Sequence, residues 1–166
     1  MPPHFRQPKR RGEWAELKFL LRATEEHLVV SKPYGDSARF DFIVGDRPPL
    51  YRVQVKSTSI RGKRCYLARM THCYPPRRYR SSDFDFLAVY VIPCRAWYIV
   101  PMGALGAKQR NLSLYPHVKN STGHLERFRE AWHLLKQAAP ASYNAERGEV
   151  WVQQMHRSEV RRKRIS

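Results

Sequence analysis

Residues 50–57 have the sequence LYRVQVKS, in which apolar and polar side chains alternate. Successive side chains of a β-strand point to opposite faces, so this alternation predicts a strand with Val53 and Val55 on one face. Gln54 and Lys56 then share the other face. We therefore expect the valines to contact a core and the two polar side chains to project together away from it.

The preceding stretch, RFDFIV at residues 39–44, also has strand character. Its two phenylalanines and Val44 share one face, which leaves Asp41 on the opposite face. A turn-rich connection, GDRPP at residues 45–49, separates this strand from the next and predicts an antiparallel hairpin. In such a hairpin Asp41 lies close to the polar face of the second strand.

Upstream, residues 11–22 have the sequence RGEWAELKFLLR and carry apolar side chains at helical spacing. Glu13 and Glu16 fall inside the broad apolar arc of this predicted helix, among Trp14, Leu17, Phe19, Leu20 and Leu21. An ionised carboxylate that faces a core is costly unless it is paired or binds a metal. Glu13 is also explained as a first-turn residue that the helix dipole favours, so Glu16 is the preferred candidate.

These elements resemble the PD-(D/E)XK nuclease superfamily, over residues from about 12 to 101. The resemblance is carried by Phe40-Asp41, by Gln54-Val55-Lys56 and by Glu16 on the upstream helix. It is to a variant branch in which glutamine replaces the second acidic residue of the motif, a branch that includes homing endonucleases encoded in group I introns. The resemblance implies an α/β fold with a restriction-endonuclease-like core, in which helices flank a mixed sheet with a central hairpin.

The resemblance also implies a role for each residue of the set. Asp41 would be the principal metal ligand, Glu16 and Gln54 would complete the site, and Lys56 would orient or activate the attacking water. These residue types suit phosphodiester hydrolysis, because Mg²⁺ prefers oxygen ligands and offsets the charge that develops on the phosphate. The Val55 carbonyl is a further candidate ligand, and Mn²⁺ could substitute for Mg²⁺. The glutamine amide contributes no charge, so the number of metal ions stays open.

The charge of the chain points to a polyanionic partner. Its 166 residues include 31 Lys and Arg against 14 Asp and Glu, for a formal net charge of +17. Nucleic acid is the expected partner, and a membrane surface is disfavoured because neither terminus has a long amphipathic apolar face. Three basic clusters are expected to contact backbone phosphates: Lys9, Arg10 and Arg11; Arg77, Arg78 and Arg80; and Arg161, Arg162, Lys163 and Arg164.

The chain has the length of one domain, which we expect over residues 11–140. A basic N-terminal arm at 1–10 is expected before it, and a basic, partly disordered C-terminal extension at 141–166 after it. Three cysteines without a signal peptide favour reduced thiols and a cytoplasmic location, nucleoid-associated in a bacterium. After the first hairpin, the pattern predicts further elements: a strand at 63–69, an irregular loop at 74–82, a hairpin of 84–92 with 96–100, a short strand at 111–115 and a helix at about 123–138.

Two other sets of polar residues carry weaker predictions. Asp83 and Asp85 are expected to serve the fold, the first in a turn and the second paired with a basic residue, because no lysine or glutamine accompanies them in phase. A zinc site is disfavoured, because its only candidates lack paired metal-ligand spacing: Cys65, His72, Cys73 and Cys94.

The function that these observations favour is a Mg²⁺-dependent endonuclease acting on double-stranded DNA. Cutting both strands with one kind of site requires two copies, so a homodimer or homotetramer is expected. Two alternatives stay open: a nucleic-acid-binding protein of the same fold without catalysis, and a structure-selective nuclease that resolves DNA junctions.

Overall fold

A computed structural model describes five ranges of the chain: 7–35, 37–72, 77–80, 82–106 and 110–136. For residues 71–72 and 77–78 it describes the backbone alone. Residues 1–6 of the predicted N-terminal arm and the predicted extension at 141–166 lie outside the described residues. The same holds for the last basic cluster: Arg161, Arg162, Lys163 and Arg164.

The first element is helix α1, Pro8–Glu25. Proline suits the first turn of a helix, because the N–H that it lacks would have no partner within the helix. After the helix, the chain turns at His27, which has a positive φ of 59°. The helix predicted at residues 11–22 is confirmed and is longer at both ends. No helix in the described part of the chain is long and apolar enough to cross a membrane.

The buried face of α1 differs from the predicted apolar arc. Ala15, Phe19 and Ala23 are buried, at a spacing of four residues. The two small alanines let the helix backbone approach the sheet, while the Phe19 ring stacks on Phe42 with centroids 5.3 Å apart. The predicted arc was wrong for its leucines, which are exposed: Leu17, Leu20 and Leu21.

Nine short strands follow α1 in the described residues: β1 (Val30–Ser31), β2 (Phe42–Val44), β3 (Tyr51–Thr58), β4 (Tyr66–Arg69), β5 (Thr71–His72), β6 (Arg77–Arg78), β7 (Phe86–Val91), β8 (Ala96–Pro101) and β9 (Asn111–Leu114). Five of them form one mixed sheet in the order β1-β2-β3-β7-β8. Neighbours are antiparallel except β3 and β7, which are parallel. Both predicted hairpins, β2–β3 and β7–β8, are confirmed.

The sheet carries an apolar cluster on each face. On the α1 side, Val53 and Val55 of β3 belong to the same buried cluster as Phe19. On the opposite side, Leu87 and Val89 of β7 are buried with the residues of the β4–β9 pair. Because β7 is covered on both faces, it is apolar along its whole length, as a strand at the centre of a layered fold must be.

The helix predicted at 123–138 was wrong. Its described residues form two 3₁₀ turns, Glu126–Phe128 and Trp132–Leu135. Between the turns, Glu130 N–H donates to the Trp97 carbonyl at 2.9 Å, and the Glu130 carboxylate accepts from Trp97 N–H at 2.7 Å. These long-range bonds to β8 compete with the local bonds of an α-helix. The apolar residues of the stretch are nevertheless buried: Leu125, Phe128, Trp132 and Leu135.

A small antiparallel ribbon replaces part of the loop predicted at 74–82. Thr71–His72 pairs with Arg77–Arg78, with Thr71 opposite Arg78. The described chain continues from this ribbon to Tyr79, whose ring lies 4.9 Å from the ring of Phe84 in a T-shaped contact. Tyr79 thus packs against the apolar cluster on the β4–β9 side of the sheet, directly after β6 in the chain.

Candidate active site

The candidate site lies where β3 extends beyond the paired end of its neighbour β2. The pairing of the two strands starts with Phe42 opposite Val53. Just before it, Asp41 N–H still donates to the Val53 carbonyl at 2.9 Å, and Asp41 Oδ2 accepts from Val55 N–H at 2.6 Å. A carboxylate therefore takes the place of a backbone partner of Val55, which fixes the direction in which Asp41 points.

Asp41 lies just before β2 rather than within the strand predicted at 39–44. Phe40, predicted to share a face with Phe42, packs against the cluster on the opposite side of the sheet. The chain thus changes sides around Asp41. The prediction that this carboxylate lies close to the polar face of β3 is confirmed by its hydrogen bond to Gln54.

The Gln54 amide brings two oxygen atoms together. Gln54 Nε2 donates to Asp41 Oδ2 at 2.5 Å and to the Val55 carbonyl at 3.2 Å. Both acceptors face the point that the amide nitrogen occupies. A half-turn of the amide would present its oxygen at that point instead, because the two ends of the group are nearly equal in size.

Lys56 is the next polar residue of β3. Its Nζ lies 5.3 Å from the centroid of the Tyr79 ring, a cation–π contact. Burial lowers the pKa of Lys56, and the nearby Asp41 carboxylate opposes that shift. An ammonium group is therefore held in a partly desolvated position beside a carboxylate. The sequence pattern did not link Tyr79 to this lysine.

Glu16 enters the site from α1. Its side chain is 24% exposed, and its Oε2 lies 2.8 Å from Lys32 Nζ. Glu13, the rejected candidate, is exposed, which supports the preference for Glu16. Lys32 follows β1 directly, and nothing in the sequence distinguishes it from the other basic residues of the chain. It is the site residue that sequence reasoning missed.

The charges of this cluster act on one carboxyl group. The pKa of Asp41 is raised to about 6, chiefly by burial and also by the nearby Glu16 carboxylate. The Val55 N–H, Lys56 and Lys32 oppose that rise. The pKa of Lys32 is raised, chiefly by its hydrogen bond to Glu16. Glu16, Asp41, Lys32 and Lys56 are thus electrostatically one site, which we call the carboxylate cluster.

The oxygen atoms of the carboxylate cluster, together with those of the neighbouring Gln54 and Val55, suit a hard divalent cation. Asp41 and Glu16 offer carboxylate oxygens, and Val55 and Gln54 offer neutral oxygens. Mg²⁺ takes one or two carboxylates and completes its shell with water and phosphate oxygens. The described residues contain no group of three or more His, Cys, Asp or Glu side chains placed to hold a metal ion.

Two further acidic residues serve the fold, as predicted. Asp83 Oδ2 accepts from Arg80 N–H at 2.8 Å and closes a turn. Asp85 accepts from the Arg52 backbone N–H, Nε and Nη2 at 2.8, 3.1 and 2.8 Å. These bonds hold the pKa of Asp85 below its ordinary value.

Cys65 and Cys94 carry free thiols.

The described members of the predicted basic clusters lie at two places. Lys9 and Arg10 are exposed in the first turn of α1, the helix that carries Glu16, and Arg11 is half-buried. Arg80 is exposed, while Arg77–Arg78 form β6, which leads directly to the Tyr79 ring beside Lys56. Two basic clusters therefore belong to elements that also supply the site.

Comparison with known proteins bears on the family and the fold of this chain. A family model described as PD-(D/E)XK endonuclease matches residues 6–135. The structure of the bacterial homing endonuclease I-Ssp6803I is similar, with 26% identity and a TM-score of 0.65, over 78% of this chain and 93% of that chain.

A Holliday junction resolvase, Hjc from the archaeal hyperthermophile Archaeoglobus fulgidus, aligns at 13% identity and a TM-score of 0.42, over 63% of this chain and 84% of that chain. This second likeness carries no functional argument. Among curated proteins, none matches this chain. Since the family model spans most of its length, the chain belongs to the PD-(D/E)XK endonuclease family and has its restriction-endonuclease-like α/β fold.

Proposed function

We propose that this protein is a Mg²⁺-dependent endonuclease that hydrolyses phosphodiester bonds in double-stranded DNA, in the manner of a homing endonuclease. The observation that carries the proposal is the convergence of two oxygens, Asp41 Oδ2 and the Val55 carbonyl, on the Gln54 amide group. Lys56 lies on β3, the strand that carries Gln54 and Val55. Membership of a nuclease family supports the reaction class. The choice of metal and the role of each residue are parts of the proposal.

Asp41, Glu16, Gln54 and Val55 would hold the cation, and Mn²⁺ would substitute for Mg²⁺. When bound, the cation supplies positive charge that offsets the negative charge developing on the phosphate. Burial keeps the Asp41 carboxyl in a poorly solvated position, where a bound cation is attracted more strongly than at the surface. The ligand set therefore favours a cation with oxygen preference.

Lys56 would orient the attacking water. Its Nζ is held against the Tyr79 ring and lies in the electrostatic field of the Asp41 carboxylate. Because burial lowers its pKa, it also gives up a proton more readily than a surface lysine does. Both properties suit a group that assists addition of water to phosphorus.

The substrate proposal rests on charge. The net charge of +17 and the exposed Lys9, Arg10 and Arg80 suit contacts with the phosphates of duplex DNA. Each copy of the chain contributes one candidate active site, so cleavage of both DNA strands requires a homodimer or homotetramer. Sedimentation of the protein with and without duplex DNA tests the oligomeric state.

The first test is cleavage of supercoiled plasmids and genomic DNA with Mg²⁺, with Mn²⁺ and with a chelator. The proposal expects metal-dependent nicking or linearisation that is lost in Asp41→Ala. The matched control is Asp46→Ala, because Asp46 is exposed in the turn between β2 and β3. Activity that persists in Asp41→Ala, or that ignores the chelator, contradicts the proposed site.

DNA binding without cutting, across all substrates and both metals, would favour the noncatalytic nucleic-acid binder. A competition arm separates the third possibility. Branched DNA that outcompetes linear duplex of equal length would indicate a junction-resolving nuclease, whereas equal competition supports action on duplex DNA.

A further inference from the structure

A second ammonium group lies against a carboxylate of the proposed metal site. Lys32 Nζ is 2.8 Å from Glu16 Oε2 and 5.7 Å from the centroid of the Phe42 ring. Phe42 follows Asp41 directly in the chain, so Lys32 is held at the same corner of the sheet as the Asp41 carboxyl. Its charge also opposes the rise in the pKa of Asp41. Lys32 therefore shares the field in which the cation would bind.

The ammonium group and a divalent cation would compete for the same carboxylate, that of Glu16. A doubly charged ion bound by Glu16 and Asp41 would repel a lysine that remains in hydrogen-bond contact with Glu16. One partner must move, and the exposures of the pair identify it. The Lys32 side chain is 62% exposed, whereas the Glu16 side chain is 24% exposed and sits on the helix beside the buried Ala15. Lys32 is the member with room to turn into solvent.

We propose that Lys32 occupies the Glu16 carboxylate in the metal-free protein, leaves it when the divalent cation binds, and then contacts a DNA phosphate beside the site. The inference rests on the proposed function and adds to it a link between metal loading and substrate contact. A solvent-exposed ammonium at the entrance to a metal site is suited to a phosphate, because phosphate binding by lysine is chiefly a charge interaction.

The direction in which metal affinity changes when Lys32 is removed separates competition with the metal from a purely structural role. If Lys32 only orients Glu16, its removal disorders a ligand and weakens metal binding. If it occupies the ligand in competition with the metal, its removal strengthens metal binding. Calorimetric titration of the DNA-free protein with Mn²⁺ therefore tests the first half of the proposal without reference to activity.

Lys32→Ala and Lys32→Gln should bind Mn²⁺ about fivefold more tightly than the wild type, the effect of removing a partly exposed ion pair. The matched control is Lys136→Ala, because Lys136 Nζ forms a similar pair with Glu26 at 2.9 Å and is 47% exposed. Its Mn²⁺ affinity should stay at the wild-type value. Unchanged or weaker affinity in both Lys32 variants overturns the proposal.

The second half concerns the phosphate. In Lys32→Ala the dependence of DNA affinity on salt, measured with bound metal, should fall by about one unit of log–log slope, and Lys32→Arg should restore it. A wild-type slope in Lys32→Ala overturns the phosphate contact.

Failure of this inference is distinguishable from failure of the proposed function. If the wild type takes up no Mn²⁺ at millimolar concentration, the metal-dependent function itself is wrong. If the wild type and both Lys32 variants bind Mn²⁺ equally, the metal site stands and only the role of Lys32 is overturned.

Discussion

Asp41 and Asp85 flank β3 on opposite sides and meet opposite environments. Asp85, on the β7 side, accepts three hydrogen bonds from Arg52, which keep its pKa low. Asp41, on the β2 side, accepts from a backbone N–H and a neutral amide, and burial raises its pKa to about 6. One carboxylate is stabilised by its own partner. The charged partner proposed for Asp41 is a bound divalent cation. A carboxyl group with a raised pKa is typical of functional sites.

Cleavage should separate the two aspartates most strongly. Asp41→Asn should lower the cleavage rate by about a thousandfold or more, because the principal charged ligand is lost. Asp85→Asn should leave it within about threefold at temperatures where the variant is folded, since Asp85 belongs to the structural pair with Arg52. DNA affinity, measured in chelator, should stay near the wild-type value in both. A comparable loss of cleavage in Asp85→Asn would erase the distinction.

The two glutamates of α1 extend the comparison to metal dependence. Glu16→Gln should raise the Mg²⁺ concentration for half-maximal cleavage by about tenfold, because a charged ligand becomes neutral. Glu13→Gln, on the exposed part of the same helix, should change it by less than about twofold. The measurement is cleavage rate against Mg²⁺ concentration. The reverse order would mean that Glu13 is the ligand.

The stability of the folded protein should change in opposite directions in Asp85→Asn and Asp41→Asn. Asp85→Asn should lower the free energy of unfolding by about 1–2 kcal/mol, a value reduced for the partial exposure of the pair. Asp41→Asn should raise it by about 1 kcal/mol in chelator, because an unfavourable buried charge is removed. Urea unfolding at neutral pH measures both, with Asp46→Asn as the control. Destabilisation by Asp41→Asn would show that its hydrogen bonds outweigh the cost of its charge.

The smallest effect is an acid dependence of stability. The folded-state pKa of Asp85 lies below its ordinary value of 3.8. Its contribution is therefore present above about pH 4 and is lost as the pH falls through the folded-state pKa. The difference in unfolding free energy between wild type and Asp85→Asn should be constant from pH 5 to 7 and shrink below about pH 4. A difference that grows on acidification would contradict the lowered pKa.

The predictable part of the fold is the part dictated by local periodicity. Alternation over residues 50–57 identified β3, and the turn-rich segment 45–49 identified its pairing with β2. Those two inferences placed Asp41 beside Gln54. The parallel contact of β3 with β7 was not predicted, because it joins distant segments through backbone bonds that leave no pattern in the side chains.

The errors arose where long-range contacts override local preference. The leucines of α1 are more apolar than Ala15 and Ala23, yet close approach to the sheet selected the alanines for the buried face. The Glu130–Trp97 bonds replaced a predicted helix by 3₁₀ turns. Lys32 was missed for the same reason, because its partner Glu16 lies 16 residues away in the chain.

The short edge of the sheet has a consequence for how the protein loses activity on heating. β1 contributes two paired residues and β2 three, and these strands lie next to the segments that supply Lys32 and Asp41. Short strands near the margin of a sheet open at lower free energy than the central pair β3–β7. We therefore expect local fraying to dismantle the site while the core stays folded, so that inactivation precedes the unfolding transition and amide exchange at Phe42 and Val44 is faster than at Val89.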